Sequence, residues 1–397
     1  MSSLIHILAD ANIPFVDKAL SELGEVEVRP GQGIGPADVA GAEVLLVRSV
    51  TAVDAALLEG SPVRFVGSAT IGTDHVDLAY LRDRGIAFAH APGSNADSVV
   101  EYVLAALLAA YAERGEPLRG RTVGVVGCGH IGGRLAERLP HLGVRVLKND
   151  PPLMGAAEAT GQPHDFVPLD QVLAEADAVT LHPPLTHAGP HPTAHLVGER
   201  ELAAMKADAL LVNASRGAVV DNRALREALA ARRIGGAVLD VWEGEPEPDP
   251  ALLRLARTAT PHVAGYSYDG KVQGTAMLHR ALADWLGVTP RWDAEAELTP
   301  GPGELAPLRL PDPALPETAW LDALVRHAYD VRADDARMRR LLTLPPEERG
   351  AYFHRLRKTY PRRRDFRWYA VADAVPEAYA GAVRRGLRFR LPDGQTS

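Results

Sequence analysis

Three glycines between an apolar run and a helical pattern constrain the fold of this chain more than any other feature. In "RTVGVVGCGHIGGRLAERL", Gly127, Gly129 and Gly132 follow a predicted strand and open a predicted helix. Glycines at this spacing permit a tight turn and let the backbone approach a pyrophosphate, which then lies at the helix N-terminus. Such a strand–turn–helix unit is typical of a doubly wound parallel sheet that binds a dinucleotide.

The next predicted strand, "VRVLKND", ends in an acidic residue, Asp150. A carboxylate at this place accepts hydrogen bonds from the ribose hydroxyls of adenosine and repels a 2′-phosphate, which favours NAD over NADP. The alternative is a purely structural glycine turn. Cys128 inside the turn is expected to be a small packing residue.

Apolar, β-rich runs alternate with helical patterns along the first two thirds of the chain. The first set of runs is "IHILAD", "EVLLVRS", "RFVGSAT" and "IAFAHA". The second set is "TVGVVG", "VRVLKND", "AVTLHP", "ALLVNAS", "GGAVLDV" and "TATPHV", and the pattern "NADSVVEYVLAALLAAYAERG" between the sets predicts a long buried helix. The alternation predicts parallel sheets covered by helices on both faces.

The last third of the chain differs from the rest. A connector rich in proline and glycine leads to charged helical patterns at 318–328, 333–342 and 346–358 and to a short predicted strand, "RWYAVAD". Proline and glycine clusters of this kind separate regular elements. We therefore expect a further region after the two sheets.

The composition narrows the class of protein. The 397 residues are 46% hydrophobic, carry a net charge of −8 and include one cysteine. The acidic total argues against a partner that is nucleic acid, and a single cysteine excludes an intramolecular disulfide and suits a reducing cytoplasm. The chain start lacks a basic signal-peptide region, and no run of about 20 apolar residues is present to span a membrane. We expect a cytoplasmic protein without a membrane partner or a metal site.

Three ionisable residues, Arg216, Glu245 and His262, each follow a strand of the second set. Ligands of an open parallel sheet bind outside the carboxyl ends of the strands, so these side chains are expected in one cleft. An imidazole suits the removal of a hydroxyl proton, a carboxylate fixes its tautomer, and a guanidinium binds a carboxylate bidentately. Each residue alone is more often an ordinary surface or core residue. Together they predict hydride transfer from a 2-hydroxy acid to NAD.

With these residues placed, the sequence resembles the D-2-hydroxyacid dehydrogenases, in which the glycine turn, "NASRGAVVD", "LDVWEGEP" and a histidine after a short strand occur in this order. Further motifs, including "FVGSATIGTDHVD", "HVAGYSYDGKVQGT", "YDVRADDARMR" and "LRKTY", resemble the branch of that family that oxidises 4-phospho-D-erythronate. The resemblance extends over essentially the whole chain.

The resemblance implies NAD-dependent oxidation of 4-phospho-D-erythronate to (R)-3-hydroxy-2-oxo-4-phosphobutanoate in pyridoxal 5′-phosphate biosynthesis. It implies that Arg216, Glu245 and His262 are catalytic and that His262 transfers the proton. The implied substrate contacts are Ser49, Thr70 and Tyr266. The implied cofactor contacts are Gly127, Gly129, His130, Ile131, Gly132, Asp150, Pro183, Ala214, Ser215, Arg216, Asp240 and Gly265.

Two positions depart from the pattern of the resembled family. Pro183 stands where a threonine or another hydrogen-bonding residue is common, and it lacks the N–H and the hydroxyl of that contact. Ser215 stands where cysteine also occurs, which exchanges one small residue for another.

The resemblance also implies the domain organisation. A flavodoxin-like substrate domain is expected at 1–97 and 267–290, a Rossmann-type NAD domain at 98–266, and a C-terminal α+β dimerisation domain at 291–397. The expected assembly is a homodimer. Because the implied substrate carries a phosphate, Arg362, Arg363 or Arg364 is expected to reach the cleft of the partner subunit.

Two other functions remain open from the sequence. One is another D-2-hydroxyacid dehydrogenase, for example one that acts on 3-phosphoglycerate, but the C-terminal third does not resemble a regulatory amino-acid-binding domain. The other is a non-catalytic NAD-sensing regulator on the same fold. A pure sensor has no need for Arg216, Glu245 and His262 together.

Overall fold

Two compact units make up the computed structural model, which describes residues 5–392. Among the described residues, the first unit contains residues 5–95 together with Ser267–Pro302, and the second contains Ala96–Tyr266 together with residues 303–392. In this division the C-terminal region belongs to the second unit, and the predicted domain boundaries stay predictions. The outermost residues of the predicted domains, 1–4 and 393–397, lie outside the described residues.

The first unit is built on a parallel five-stranded sheet. Its strands lie in the order β2-β1-β3-β4-β5, which is the flavodoxin-like order. The strands are β1 (His6–Asp10), β2 (Glu25–Arg29), β3 (Val44–Val47), β4 (Phe65–Ser68) and β5 (Ala87–His90).

The second unit is built on a parallel six-stranded sheet. Its strands lie in the order β11-β10-β9-β8-β6-β7, and a single parallel bridge between Lys148 and Phe166 extends the sheet beyond β7. The order reverses between β6 and β8, which is the switch point where Rossmann-type sheets bind a dinucleotide. The strands are β6 (Thr122–Val126), β7 (Arg145–Asn149), β8 (Ala178–Leu181), β9 (Leu210–Asn213), β10 (Gly236–Leu239) and β11 (Thr258–Ala259).

Helices connect the strands and make up most of the C-terminal region. In chain order they are α1 (Val16–Leu20), α2 (Pro36–Val39), α3 (Ala55–Leu58), α4 (Leu78–Asp83), α5 (Ala96–Arg114), α6 (His130–Arg138), α7 (Pro151–Thr160), α8 (Leu169–Glu175), α9 (Glu199–Ala204), α10 (Asn222–Ala230), α11 (Pro250–Leu255), α12 (Tyr268–Leu286), α13 (Ala294–Leu298), α14 (Glu317–Ala328), α15 (Val331–Arg339), α16 (Pro346–Lys358) and α17 (Glu377–Gly381). None of the helices within residues 5–392 is long and apolar enough to cross a membrane.

Burial follows the apolar patterns of the sequence. Every residue of β3, β6, β8, β9 and β10 is buried, as expected for parallel strands covered on both faces. The helix α5 is buried around nearly its whole circumference, since it packs against both α6 and α14. Its continuous run of apolar residues is explained by these contacts.

The C-terminal region shares the core of the second unit. Trp320, Leu324, Phe366 and Phe389 pack in one apolar cluster with residues of α5 and of the sheet. The guanidinium of Arg138, only 2% exposed, donates to the carbonyl oxygens of Gly386 and Leu387. These contacts join the segment around Gly386 to the core of the second unit.

The predicted strand "RWYAVAD" is wrong as a continuous strand. Phe366–Trp368 form a turn of 3₁₀-helix, and only single bridges follow, from Ala370 to Arg390 and from Val371 to Leu308. The segment is short and bounded by turns, so an apolar alternation alone did not distinguish bridges from a strand.

Candidate active site

The glycine turn joins β6 to α6 as the sequence predicts. Gly127 has a φ of 83°, and a Cβ at this position would lie 2.6 Å from the backbone nitrogen of Pro183. A Cβ at Gly132 would collide with the carbonyl oxygen of Gly127. Gly129, by contrast, faces open space, since nothing lies within 4 Å of a Cβ built there. The turn is therefore tightly packed on its inner side and open at the helix N-terminus, which His130 and Ile131 begin.

Asp150 lies beside this turn at the end of β7. One carboxylate oxygen accepts the backbone N–H of Cys128 at 2.8 Å, and the other accepts the N–H of Leu153 at 3.0 Å and so caps α7. Each carboxylate oxygen has a second lone pair, so both remain able to accept a hydroxyl. The open position at Gly129 and the acceptors of Asp150 fit the pyrophosphate and ribose of NAD.

His182 at the end of β8 is a polar residue that the sequence analysis missed. Its Nε2 lies 2.9 Å from the hydroxyl oxygen of Thr180, and its buried Nδ1 has no hydrogen-bond partner among residues 5–392. Burial lowers the pKa of His182 to about 3, so the imidazole is neutral. Pro183, which follows it, is buried against Gly127 and presents a ring at this position.

Glu245 and His262 form the central pair of the candidate site. The Nδ1 of His262 lies 2.8 Å from Oε2 of Glu245, and the other carboxylate oxygen accepts the N–H of Trp242 at 2.9 Å. Burial raises the pKa of Glu245, but the hydrogen bond and charge of His262, together with the Trp242 N–H, bring that pKa below its ordinary value. Glu245 is therefore ionised at neutral pH, and its carboxylate orients the imidazole.

His262 lies on a strained loop that a buried aspartate holds. Its φ is 57°, a left-handed value that costs a residue other than glycine about 1–3 kcal/mol. Asp240 accepts the Thr260 hydroxyl at 2.6 Å and the backbone N–H groups of Val263 and Ala264 at 2.8 Å each. Burial raises the pKa of Asp240 above its ordinary value. The carboxyl of Asp240 thus fixes the loop that carries His262 and Gly265, and its contact with the nicotinamide stays a prediction.

Arg216 lies at the same edge of the sheet. The ends of β9, β10 and β11 are in register there, with Asn213 beside Leu239 and Leu239 beside Ala259. Gly217, the residue after Arg216, packs directly on the backbone of Trp242. One hydrogen bond of the Arg216 guanidinium goes to the carbonyl of Ser215 at 2.9 Å.

The residues before Arg216 are fixed by Asn213. The Asn213 side-chain oxygen accepts the Ser215 hydroxyl at 2.9 Å and the Ser215 N–H at 3.1 Å, while its side-chain nitrogen donates to the Arg216 carbonyl. Ala214 between them is buried. The loop over 214–216 is therefore held in one conformation, and the contact of Arg216 with substrate stays a prediction.

The predicted substrate residues lie on both units. In the first unit Ser49 follows β3, and Thr70 follows β4 with its hydroxyl 2.7 Å from that of Ser68 and donating to the Gly72 carbonyl at 3.1 Å. In the second unit the N–H of Tyr266 donates to the Val263 carbonyl at 2.8 Å, so Tyr266 closes the His262 loop. Their roles toward substrate stay predictions.

The prediction that Arg363 or Arg364 reaches a partner's cleft is wrong, because both are buried within their own chain. Arg363 is 5% exposed and donates to the carbonyls of Ala264 and Ser98, and Arg364 is 2% exposed and pairs with Glu304. Arg362 is half-exposed and pairs with Glu304 at 3.2 Å. Only Arg362 retains the exposure that the prediction requires.

Comparisons with family models and with known proteins show the family of this chain. Residues 104–264 match the model of the NAD-binding domain of D-isomer specific 2-hydroxyacid dehydrogenases, and residues 307–383 match a domain of unknown function. An erythronate-4-phosphate dehydrogenase from Salinibacter ruber is 56% identical over 98% of this chain and 100% of its own length. This chain belongs to the erythronate-4-phosphate dehydrogenase family.

Other members and solved structures agree with that assignment. An erythronate-4-phosphate dehydrogenase from Azotobacter vinelandii is 53% identical over 91% of this chain and 93% of its own length. The structure of an NAD-dependent formate dehydrogenase from Staphylococcus aureus in complex with NAD covers 73% of this chain and 98% of its own, with a TM-score of 0.58 and 25% identity. This chain therefore has an NAD-binding domain, and that domain lies in its second unit.

Proposed function

We propose that this protein oxidises 4-phospho-D-erythronate to (R)-3-hydroxy-2-oxo-4-phosphobutanoate with NAD, a step of pyridoxal 5′-phosphate biosynthesis. The hydrogen bond between His262 and Glu245, at the carboxyl edge of an NAD-binding sheet, carries the proposal. A hydrogen-bonded imidazole and carboxylate at this place serve proton transfer and have no evident use in a protein that only senses NAD.

The chemical roles follow from the hydrogen bonds. Because Nδ1 of His262 faces the Glu245 carboxylate, it carries a proton, and Nε2 is left to accept the proton of the substrate's C2 hydroxyl. The carboxylate of Glu245 then stabilises the imidazolium that forms. Bound NAD supplies the acceptor for the hydride that leaves C2.

The remaining residues bind and orient the substrate in this proposal. Arg216 binds the C1 carboxylate and polarises the neighbouring C2 oxygen, for which a planar guanidinium is suited. Ser49, Thr70 and Tyr266 contact the rest of the substrate. We further propose a cytoplasmic homodimer that assembles through the C-terminal region.

One assay tests the proposal against the nearest rival functions. NADH formation is followed with 4-phospho-D-erythronate, 3-phosphoglycerate and D-lactate in parallel, and again with the variant H262A. We expect the highest kcat/KM with 4-phospho-D-erythronate and a loss of about 10²–10⁴-fold in H262A. A preference for another substrate contradicts the proposed substrate, and a protein that binds NAD but oxidises none of the three contradicts the enzymatic function.

A further inference from the structure

An arginine from the C-terminal region lies beside the candidate active site. Arg357 is near the end of α16, and its guanidinium carbon lies 5.3 Å from the centroid of the Tyr266 ring. Tyr360 packs edge-on against the same ring, with the centroids 6.0 Å apart and the planes at 84°. Tyr266 is therefore held between a cation and a second aromatic ring, both from the region that matches a domain of unknown function.

Arg357 forms no ion pair with the residues that the structure describes. The side chain is partly buried, its Nε is buried without a hydrogen-bond partner, and no carboxylate among residues 5–392 forms an ion pair with it. The Nε of Arg363 is also buried without a partner, but the terminal nitrogens of Arg363 donate to two carbonyls, and Arg364 pairs with Glu304. Burying a cation and an N–H without a partner costs free energy, so the site favours an anion.

Arg357 is also within electrostatic reach of the catalytic pair. Its positive charge adds to the effects that hold the pKa of Glu245 below its ordinary value, after burial, which raises that pKa, and the stronger lowering by His262. Tyr266 connects Arg357 to the loop of His262, because its ring faces Arg357 and its N–H closes that loop. An anion bound to Arg357 therefore lies close to the reacting part of the site.

We propose that Arg357 binds the phosphate group of the phosphorylated 2-hydroxy acid. The assignment rests on the proposed function, in which Arg216 already binds the carboxylate and the phosphate is the remaining anion of the substrate. A guanidinium presents two parallel N–H groups to phosphate oxygens, and one without an ion pair gains most from a dianion. The C-terminal region thereby contributes to substrate recognition.

The first test compares a phosphorylated with an unphosphorylated substrate. We measure kcat/KM for 4-phospho-D-erythronate and D-erythronate in the wild type, in R357Q and in R355Q, a control on the same helix whose side chain is exposed and stacks on Tyr352. The ratio of the two values falls about 10- to 100-fold in R357Q, as expected for the loss of a charged hydrogen bond, and is unchanged in R355Q. An unchanged ratio in R357Q, or an equal fall for both substrates, overturns the proposal.

A second measurement separates this inference from the proposed function. Binding of inorganic phosphate to the NADH-bound protein is measured by calorimetry in the wild type, R357Q, R357K and R355Q. We expect phosphate affinity to fall most in R357Q, less in R357K, which keeps the charge but not the fork, and not in R355Q. If the wild type fails to oxidise 4-phospho-D-erythronate but shows this order, the proposed substrate is wrong and the anion site stands. If phosphate binds equally well to R357Q, the anion site is wrong, whichever substrate is oxidised.

Discussion

The two nitrogens of His262 have different surroundings, and this asymmetry defines what the residue can do. Nδ1 is bound to Glu245 at 2.8 Å, and the left-handed backbone at His262 is maintained by the hydrogen bonds of Asp240 to the residues that follow. Strained conformations that a surrounding network maintains are frequent at functional sites. At the scale of single residues, the proposed proton transfer therefore depends on the negative charge of Glu245 more than on the size of its side chain.

Replacing Glu245 with glutamine tests this dependence. In E245Q the imidazolium formed during oxidation loses its neutralising partner, so we expect kcat/KM to fall about 10²-fold or more at neutral pH. NADH affinity, measured by fluorescence titration, serves as the control and is expected to remain close to that of the wild type. Wild-type kcat/KM in E245Q would contradict the assigned role.

The pH dependence of stability follows from the same residue. The pKa of Glu245 is lower in the folded protein than its ordinary value of 4.5, so its ionisation stabilises the fold above that pH. The contribution is lost as the pH falls from 4.5 through the folded-state pKa. We expect Tm to decrease less in E245Q than in the wild type as the pH is lowered. Thermal denaturation at a series of pH values from roughly 6 to 3, which covers the titration of a carboxyl group, measures this difference.

At the scale of elements, two glycines in the turn between β6 and α6 have different roles, one in packing and one in the proposed ligand binding. Gly132 is in contact with Gly127, whereas Gly129 faces open space where we place the pyrophosphate. The two glycines are three residues apart in the same motif, yet a methyl group at each position would meet a different environment. The turn therefore offers a matched pair of substitutions.

The variants G129A and G132A are expected to fail in different ways. G129A leaves Tm close to the wild-type value but weakens NADH binding, because the methyl group occupies space needed by the ligand. G132A lowers the free energy of unfolding by about 1–3 kcal/mol, as overpacking does, since its Cβ collides with the carbonyl of Gly127. Thermal denaturation and NADH titration of both variants give the comparison; equal NADH affinity in G129A and the wild type contradicts the assigned pyrophosphate position.

The sequence predicted the buried elements well and the exposed ones poorly. Strands such as β6 and β9 are fully buried, so their apolar runs are unambiguous. The strand β2, "EVEVR", was missed because it lies at the edge of its sheet and none of its residues is fully buried. Its alternation of charged and apolar residues resembles a solvated loop as much as a strand.

The meeting of Glu245 with His262 was predictable from the sequence, whereas the surroundings of Arg357 and His182 were not. Glu245 and His262 were found because the ends of parallel strands converge. Arg357 and His182 were missed, since the stacking of Arg357 on Tyr266 joins distant segments and the burial of His182 is a property of the folded sheet. The basic run at 362–364 was assigned to a partner because its sequence does not reveal that Arg363 folds back on Ala264.

At the scale of the whole molecule, the C-terminal region supports the cofactor half through buried charges. The guanidinium carbon of Arg363 lies 4.0 Å from the centroid of the Tyr329 ring, and the guanidinium donates to the carbonyl of Ala264 in the loop of His262. The pKa of Glu101 nearby is raised, mainly by burial and then by Asp365, while Arg363 opposes the rise. Removing Arg363 would leave two buried acidic groups with less compensation.

Replacing Arg363 with methionine is therefore expected to destabilise the second unit strongly. R363M lowers the free energy of unfolding by about 3–5 kcal/mol, the usual result of removing one partner from a buried charged group. The matched control is R362M, whose arginine is half-exposed and pairs with Glu304, with an expected change within about 0.5 kcal/mol. Urea denaturation of both variants gives the values, and a similar small change in both would contradict the supporting role of Arg363.

The hydrogen bonds from Arg138 to Gly386 and Leu387 have a consequence for truncated forms of the protein. A stop codon a few codons before Gly386 would delete the two acceptors and strand a guanidinium in the interior of the NAD-binding half. Nonsense alleles that end the chain before Gly386 should thus destabilise the NAD-binding half, although most of the coding sequence is still translated.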